Sequence, residues 1–272
     1  MTGRTPQQGE AHGSGVRIAY ETIGEGPPLI CCHAFAVDRS MWQPQLERFA
    51  QGRRVITFDQ RGSGASDHPA DEGGQADAYT IDAFADDVRA VLDDLGIERA
   101  QVLGLSMGAA TAMRFSVRWP KRVERLVLAS AMASRLPEKI IERARALLDV
   151  LEHKGLEEAY RFYFSGALFK GLVQEGELPP MIASLSAQAT PHGFRGCYRV
   201  TIDRPSMTEE LPRIEAPTLI LVGERDVHYL DEADRMQQRI PTARKVVMPG
   251  VGHAMSTESP DAFSDEVLRF LA

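Results

Sequence analysis

The chain has 272 residues, of which 43% are hydrophobic and 25% charged, the balance of a folded globular protein with a sizeable core and not of a disordered one. Its 31 lysines and arginines against 38 aspartates and glutamates leave a net charge of −7, which offers no attractive field to nucleic-acid phosphates or anionic lipid and argues against nucleic acid as a partner. No run of eighteen apolar residues occurs, so no helical membrane span is expected.

The first fifteen residues are polar and Gly-rich. They lack the apolar core of a secretory signal and read as a frayed N-terminus on a cytoplasmic protein. Val16–Ile23 and Pro28–His33 read as extended, separated by Gly24-Glu25-Gly26-Pro27, and together suggest an entry hairpin leading into a buried strand. Ser40–Ala50 has helical spacing and precedes an apolar strand at Arg54–Asp59, which marks one strand-helix-strand step. Residues 66–75 form an irregular loop. Thr80–Leu95 follows as a helix, with Ile81, Phe84, Val88, Val91 and Leu92 on one stripe and Gly96 as its C-terminal cap. Gln101–Leu105 is a strand, Met107–Trp119 a helix stopped by Pro120, and Val123–Leu128 a strand. This repeated alternation argues for a parallel sheet covered by helices, an α/β class.

After Ala131 the alternation stops, and helical patterns occupy Pro137–Leu151, Leu156–Phe164, Pro180–Ala189 and Pro191–Val200. Strand and helix then resume with Pro217–Gly223, Leu230–Ile240, Lys245–Met248 and Ser259–Leu271. The organisation is therefore a first core part over 1–132, a helical insertion over 133–213 and a second core part over 214–272. Cys31, Cys32 and Cys197 show no CxxC spacing, and no histidine pair stands four apart with a glutamate, so neither a disulfide framework nor a metal site is expected.

Gly104-Leu105-Ser106-Met107-Gly108 fits G-x-S-x-G where an apolar strand meets a helix, the context this motif's mechanism needs. The turn is sharp enough to strain the serine backbone and expose its hydroxyl, with flanking glycines that allow strand and helix to approach closely. The Met107 amide, at the helix N-terminus, then faces the position where an oxyanion would form. A serine hydroxyl is a weak nucleophile at neutral pH, so the chemistry needs a histidine base and an acid to orient it. Asp226 and His253 follow predicted strands in the order acid, then histidine, at carboxyl ends where open α/β sheets build their sites. Glu224 and Asp231 are neighbouring acids that compete with Asp226, and His228 is a second candidate for the pocket. Gly62-Ser63-Gly64 lacks the third glycine of a dinucleotide fingerprint, where Asp67 stands instead, so no cofactor is expected.

With these residues in place, Cys32-His33-Ala34-Phe35 and Asp59-Gln60-Arg61-Gly62-Ser63-Gly64-Ala65-Ser66-Asp67 resemble the H-G-F and D-x-R-G-x-G-x-S segments of α/β-hydrolases. Nearest in character is the group of 3-oxoadipate enol-lactonases, cofactor-free haloperoxidases and small esterases, and the likeness runs from about Val16 onward. It implies that the amides of Phe35 and Met107 form the oxyanion hole and that 133–213 is a cap over the site, where Phe162, Tyr163, Phe164, Phe169, Phe194 and Tyr198 could line an apolar pocket. Ala34 stands where the family has glycine, and an alanine is strained there if the position needs a positive φ. His33 reads as a structural, hydrogen-bonded histidine. The expected activity is hydrolysis of a small-molecule carboxylic ester or lactone through an acyl-enzyme. Carbon–carbon bond hydrolysis, perhydrolysis and a slowly hydrolysing ligand receptor are alternatives that the same residues would serve, and the sequence leaves a homo-oligomer open.

Overall fold

A computed structural model describes residues 5–13, 15–70, 76–166, 169 and 188–272. Its centre is an eight-stranded sheet built from β1 (Gln7–Gly13), β2 (Val16–Ile23), β3 (Pro28–Cys32), β4 (Arg54–Phe58), β5 (Ala100–Leu105), β6 (Val123–Ala129), β7 (Thr218–Gly223) and β8 (Ala243–Met248). The spatial order is β1-β2-β4-β3-β5-β6-β7-β8. β1 and β2 pair antiparallel, β2 joins β4 antiparallel, and every later pairing is parallel.

Two expectations about the N-terminus are corrected. Within the polar start, Gln7–Gly13 is not frayed but forms the edge strand β1, in register with β2 from Gln7 opposite Thr22 to Gly13 opposite Val16. Only Ala11 and Gly13 on it are buried, so backbone hydrogen bonds and not an apolar face hold it, which is why composition hid it. The hairpin partner of β2 is therefore β1 and not β3. β3 lies between β4 and β5, because Leu29, Ile30, Cys31 and Cys32 are all fully buried and need cover on both faces. The crossing is made at Gly24 and Gly26, with φ of 84° and 116°.

The α-helices among the described residues are α1 (Gln43–Phe49), α2 (Ile81–Asp94), α3 (Met107–Arg118), α4 (Glu138–Lys154), α5 (Leu156–Phe164), α6 (Pro191–Asp203), α7 (Val227–Arg239), α8 (Met255–Glu258) and α9 (Pro260–Leu271). Strand alternation divides the core cleanly. Ile30, Cys32, Phe58, Val102 and Leu128 face α2, α3 and α7, whereas Leu29, Cys31, Leu103, Val127 and Leu221 face Trp42, Phe49, Phe263 and Phe270 from α1 and α9 with the turn before α1. Each fully buried Leu or Ile of these layers contributes about 2 kcal/mol. The helices α4, α5 and α6 fall within the expected insertion between β6 and β7. The expected helix at Pro180–Ala189 and the loop residues 71–75 lie almost wholly, and wholly, outside the described residues.

The glycine-containing segment after β4 is a structural turn. The Asp59 carboxylate accepts from the amides of Arg39 at 2.9 Å and Ala65 at 2.8 Å and pairs with the Arg39 guanidinium. Gly64, at φ 53°, lies where any Cβ would strike that carboxylate. Arg61 donates Nε and Nη2 to the buried Asp87 carboxylate at 2.7 and 2.6 Å, and Nη1 to the Ala78 carbonyl, which ties the turn to α2.

Candidate active site

The carboxyl ends of β5, β6 and β7, with the loop after β8, meet at one edge of the sheet. Ser106 closes β5 at φ 55°, ψ −112°, a conformation that costs of order 1–3 kcal/mol for a non-glycine residue. The turn is held by the Ser106 amide donating to the Ala129 carbonyl at 2.9 Å. It is possible only because the flanking residues lack side chains. A Cβ on Gly104 would stand 2.2 Å from the Gly108 oxygen, and one on Gly108 would stand 2.1 Å from the Cys32 oxygen.

Three sequence candidates converge here. His253 Nε2 lies 3.0 Å from Ser106 Oγ, and His253 Nδ1 lies 2.7 Å from Asp226 Oδ2. A carboxylate can only accept, so Nδ1 carries the hydrogen and Nε2 is left to accept from the serine hydroxyl. Asp226 and His253 are each 3% exposed, so their interaction is little screened by water. Asp226 stands at the N-cap position of α7, yet its side chain makes no capping bond.

Of the competing acids, Glu224 instead accepts from the Gly250 amide at 2.7 Å, and Asp231 lies a turn further along α7. Gly223 lets the two loops touch: a Cβ there would lie 2.3 Å from the Gly252 oxygen.

Sequence reasoning did not find the groups that hold His253. Glu258 accepts from the amides of Gly252 at 2.8 Å and Ala254 at 3.1 Å, one on each side of the histidine. Ser130, buried at φ 44°, donates its hydroxyl to the His253 carbonyl at 3.0 Å. Tyr229 packs its ring 4.7 Å from the imidazole, and Phe169 stands edge-on at 6.3 Å. His228, the pocket candidate, is exposed; the phase of α7 turns its neighbour Tyr229 inward instead. A helix-facing count from the buried Ala233 and Met236 identifies position 229 as inward.

The loop after β3 carries Phe35. His33 is buried and structural: Nδ1–H donates to the Ala34 carbonyl at 2.7 Å, and Nε2 accepts from the Gln60 amide at 2.9 Å. Burial lowers its pKa below the ordinary histidine value. The Gln60 side chain then joins this loop to α3, donating to the His33 carbonyl and accepting from the Thr111 hydroxyl, both at 2.7 Å. Strain is not at Ala34. The left-handed residue is Ala36, at φ 60°, so the turn is made two positions later and Ala34 needs no glycine. Among the described residues the Phe35 amide has no acceptor, and the Met107 amide is one of the first-turn donors that a helix leaves free.

The Phe35 ring meets Tyr163, Phe194 and Tyr198 at 4.8 to 4.9 Å between centroids. Phe164 and Phe169 extend the cluster. Phe162 is the exception among the expected pocket aromatics, since its ring lies under the Arg143 guanidinium. A small cavity, about 20 Å³, opens beside Ser106, bounded by Ser130, Leu136, Val200, Arg204 and Tyr229. Among the described residues no group of three or more His, Cys, Asp or Glu is placed to hold a metal ion, and no helix is long and apolar enough to cross a membrane.

Comparison with known proteins gives this geometry its family. The sequence pattern of the alpha/beta hydrolase fold matches residues 27–260. The chain is an α/β-hydrolase. The hydrolase is 28% identical over 258 residues to 3-oxoadipate enol-lactonase 2 of Acinetobacter baylyi, covering 93% of this chain and 92% of that one. Its structure is similar to the enol-lactonase of Burkholderia xenovorans, with a TM-score of 0.81 and 26% identity over 97% of this chain and 99% of the other. It is also similar to a thermophilic esterase of Thermogutta terrifontis, with a TM-score of 0.81 and 26% identity over 97% and 98%. Hydrolase activity and the mostly parallel, helix-covered sheet follow from this membership.

Proposed function

We propose that this hydrolase cleaves a small carboxylic ester or lactone through an acyl-enzyme on Ser106. The observation that carries the reading is the pair of hydrogen bonds from Ser106 through His253 to Asp226, at 3.0 and 2.7 Å. Ser106 Oγ attacks the substrate carbonyl while its proton passes to His253 Nε2. The imidazolium is stabilised by Asp226, which also fixes the ring orientation. The tetrahedral oxyanion takes hydrogen bonds from the Met107 and Phe35 amides, the first of them aided by the positive end of α3. Collapse breaks the bond to the leaving oxygen, which receives the proton from His253. Water then attacks the acyl-enzyme, giving its proton to His253, and Ser106 is released with the free acid.

The segment 133–213 serves in this reading as a cap whose aromatic cluster closes on Phe35. Strain at Ser106, Ser130 and Ala36 supports it, because such conformations cluster at working sites. The likeness to two enol-lactonases and an esterase favours esters and lactones over amides. Three free, buried cysteines fit a reducing, cytoplasmic setting.

The test is hydrolysis of short-chain p-nitrophenyl esters by Ser106→Ala. Loss of the nucleophile is expected to reduce kcat by about 10⁴- to 10⁶-fold. Turnover within tenfold of the parent enzyme removes Ser106 from the mechanism.

A further inference from the structure

The cavity beside Ser106 contains one charged side chain among the described residues. Arg204 reaches it from the end of α6 and is only 7% exposed. Its guanidinium donates to three backbone carbonyls, those of Met132, Ala133 and Ser134. Carbonyls satisfy hydrogen bonds but bring no countercharge, and among the described residues no carboxylate lies within 4 Å of it. Glu232, whose charge Arg204 feels, is already committed. Its Oε1 accepts from the Ala133 and Ser134 amides at 3.0 and 2.8 Å, and its Oε2 lies 3.6 Å from Arg235.

A buried cation that no carboxylate touches directly is stabilised further when a ligand supplies the opposite charge. Tyr229 lines the same cavity, and its hydroxyl is electrostatically coupled to Arg204. Among the described residues this hydroxyl makes no hydrogen bond, and neither do the hydroxyls of Tyr163 and Tyr198, which lie close enough to one another and to Tyr229 to interact. A hydroxyl free of protein partners is available to donate to a ligand or to water. Arg204 thus brings a positive charge and Tyr229 a hydroxyl-bearing ring to a cavity whose lining, apart from Ser106, Ser130 and Thr201, is otherwise apolar.

We propose that Arg204, with the Tyr229 hydroxyl, is an anion-recognition site, and that the substrate carries a carboxylate a few bonds from the carbonyl that Ser106 attacks. This rests on Ser106 being the nucleophile. A guanidinium offers planar, charged donors suited to a carboxylate, and the low-dielectric cavity strengthens the pairing. The competing role for Arg204 is to tie down residues 132–134 without touching substrate.

The experiment compares kcat/KM for two esters of similar length, neutral p-nitrophenyl butyrate and mono-p-nitrophenyl glutarate, which ends in a carboxylate. The parent enzyme is expected to favour the carboxylate ester by tenfold or more. Arg204→Gln is expected to reduce that ratio tenfold or more, and Tyr229→Phe, which keeps the ring against His253, to reduce it about threefold. If Arg204→Gln does not fold, Tyr229→Phe and the parent enzyme carry the test. Free glutarate should then inhibit the neutral ester competitively, whereas 1,5-pentanediol at the same concentration should not. A parent ratio near one, or an equal fall for both esters in the variants, overturns the anion site and leaves Ser106 in place. Turnover of both esters surviving in Ser106→Ala overturns the nucleophile and the inference together.

Discussion

A methyl group at position 223 separates the two loops that carry Asp226 and His253. The Cβ of Gly223→Ala would lie 2.3 Å from the Gly252 oxygen, 2.4 Å from the Val251 oxygen and 2.8 Å from the Val251 carbonyl carbon. All three are backbone atoms, so no side chain can swing aside. Reaching ordinary van der Waals distance requires a displacement of about 1 Å. Applied to the loop bearing His253, that displacement stretches the 2.7 Å bond to Asp226 beyond hydrogen-bond range. Misplacement on this scale lowers kcat/KM by about 10²-fold, or about 2.7 kcal/mol of transition-state stabilisation.

The matched control is Gly250→Ala in the same loop. Gly250 has φ 65° but nothing within 4 Å of its would-be Cβ, so it should lose about 1 kcal/mol of stability through backbone strain, with kcat/KM retained. Steady-state kinetics on a p-nitrophenyl ester and thermal melts of both variants decide the matter. A Gly223→Ala enzyme with parental kcat/KM, or equal activity losses in the two variants, refutes the reasoning.

Two further perturbations address the scaffold. Asp87→Ala leaves the Arg61 guanidinium buried without its carboxylate, and denaturant unfolding should record a loss of about 3–5 kcal/mol; a loss under 1 kcal/mol contradicts the assigned role of the pair. His33 is neutral in the fold and its pKa is lowered by burial. The unfolded chain takes up this proton first as pH falls through about 6.5, so the contribution is complete above that pH and is lost below it. Its slope is at most about 1.4 kcal/mol per pH unit. His33→Gln, which cannot titrate, should show a shallower stability loss between pH 6.5 and 5, and identical slopes in parent and variant would remove His33 from the pH response.

Legibility in the sequence followed the physics of each element. β3, β5 and β7 announce themselves because both faces are covered and their side chains are all or nearly all buried. The elbow at Ser106 is legible because two close backbone approaches admit only glycine. β1 is not, since its cohesion lies in main-chain hydrogen bonds that any sequence can make. The supports of His253 escaped for another reason. Glu258 acts on backbone amides from a short helix, and Ser130 acts through its hydroxyl on a backbone carbonyl, so neither belongs to a motif. Arg204 was equally silent, because a position at the end of α6 becomes a cavity wall only once the fold brings it together with Ser130, Met132 and Tyr229 from other elements. Ala36 shows the limit of a family template: the left-handed residue of this loop is Ala36 and not the residue at 34, so alanine at 34 is unstrained.

The most direct measurement of the central claim is covalent labelling with a fluorophosphonate followed by peptide mass mapping. A single adduct should form on Ser106, labelling should slow sharply in His253→Ala, and loss of esterase activity should follow adduct formation one for one. An adduct on any other residue, or full esterase activity in enzyme whose Ser106 is completely modified, contradicts the account.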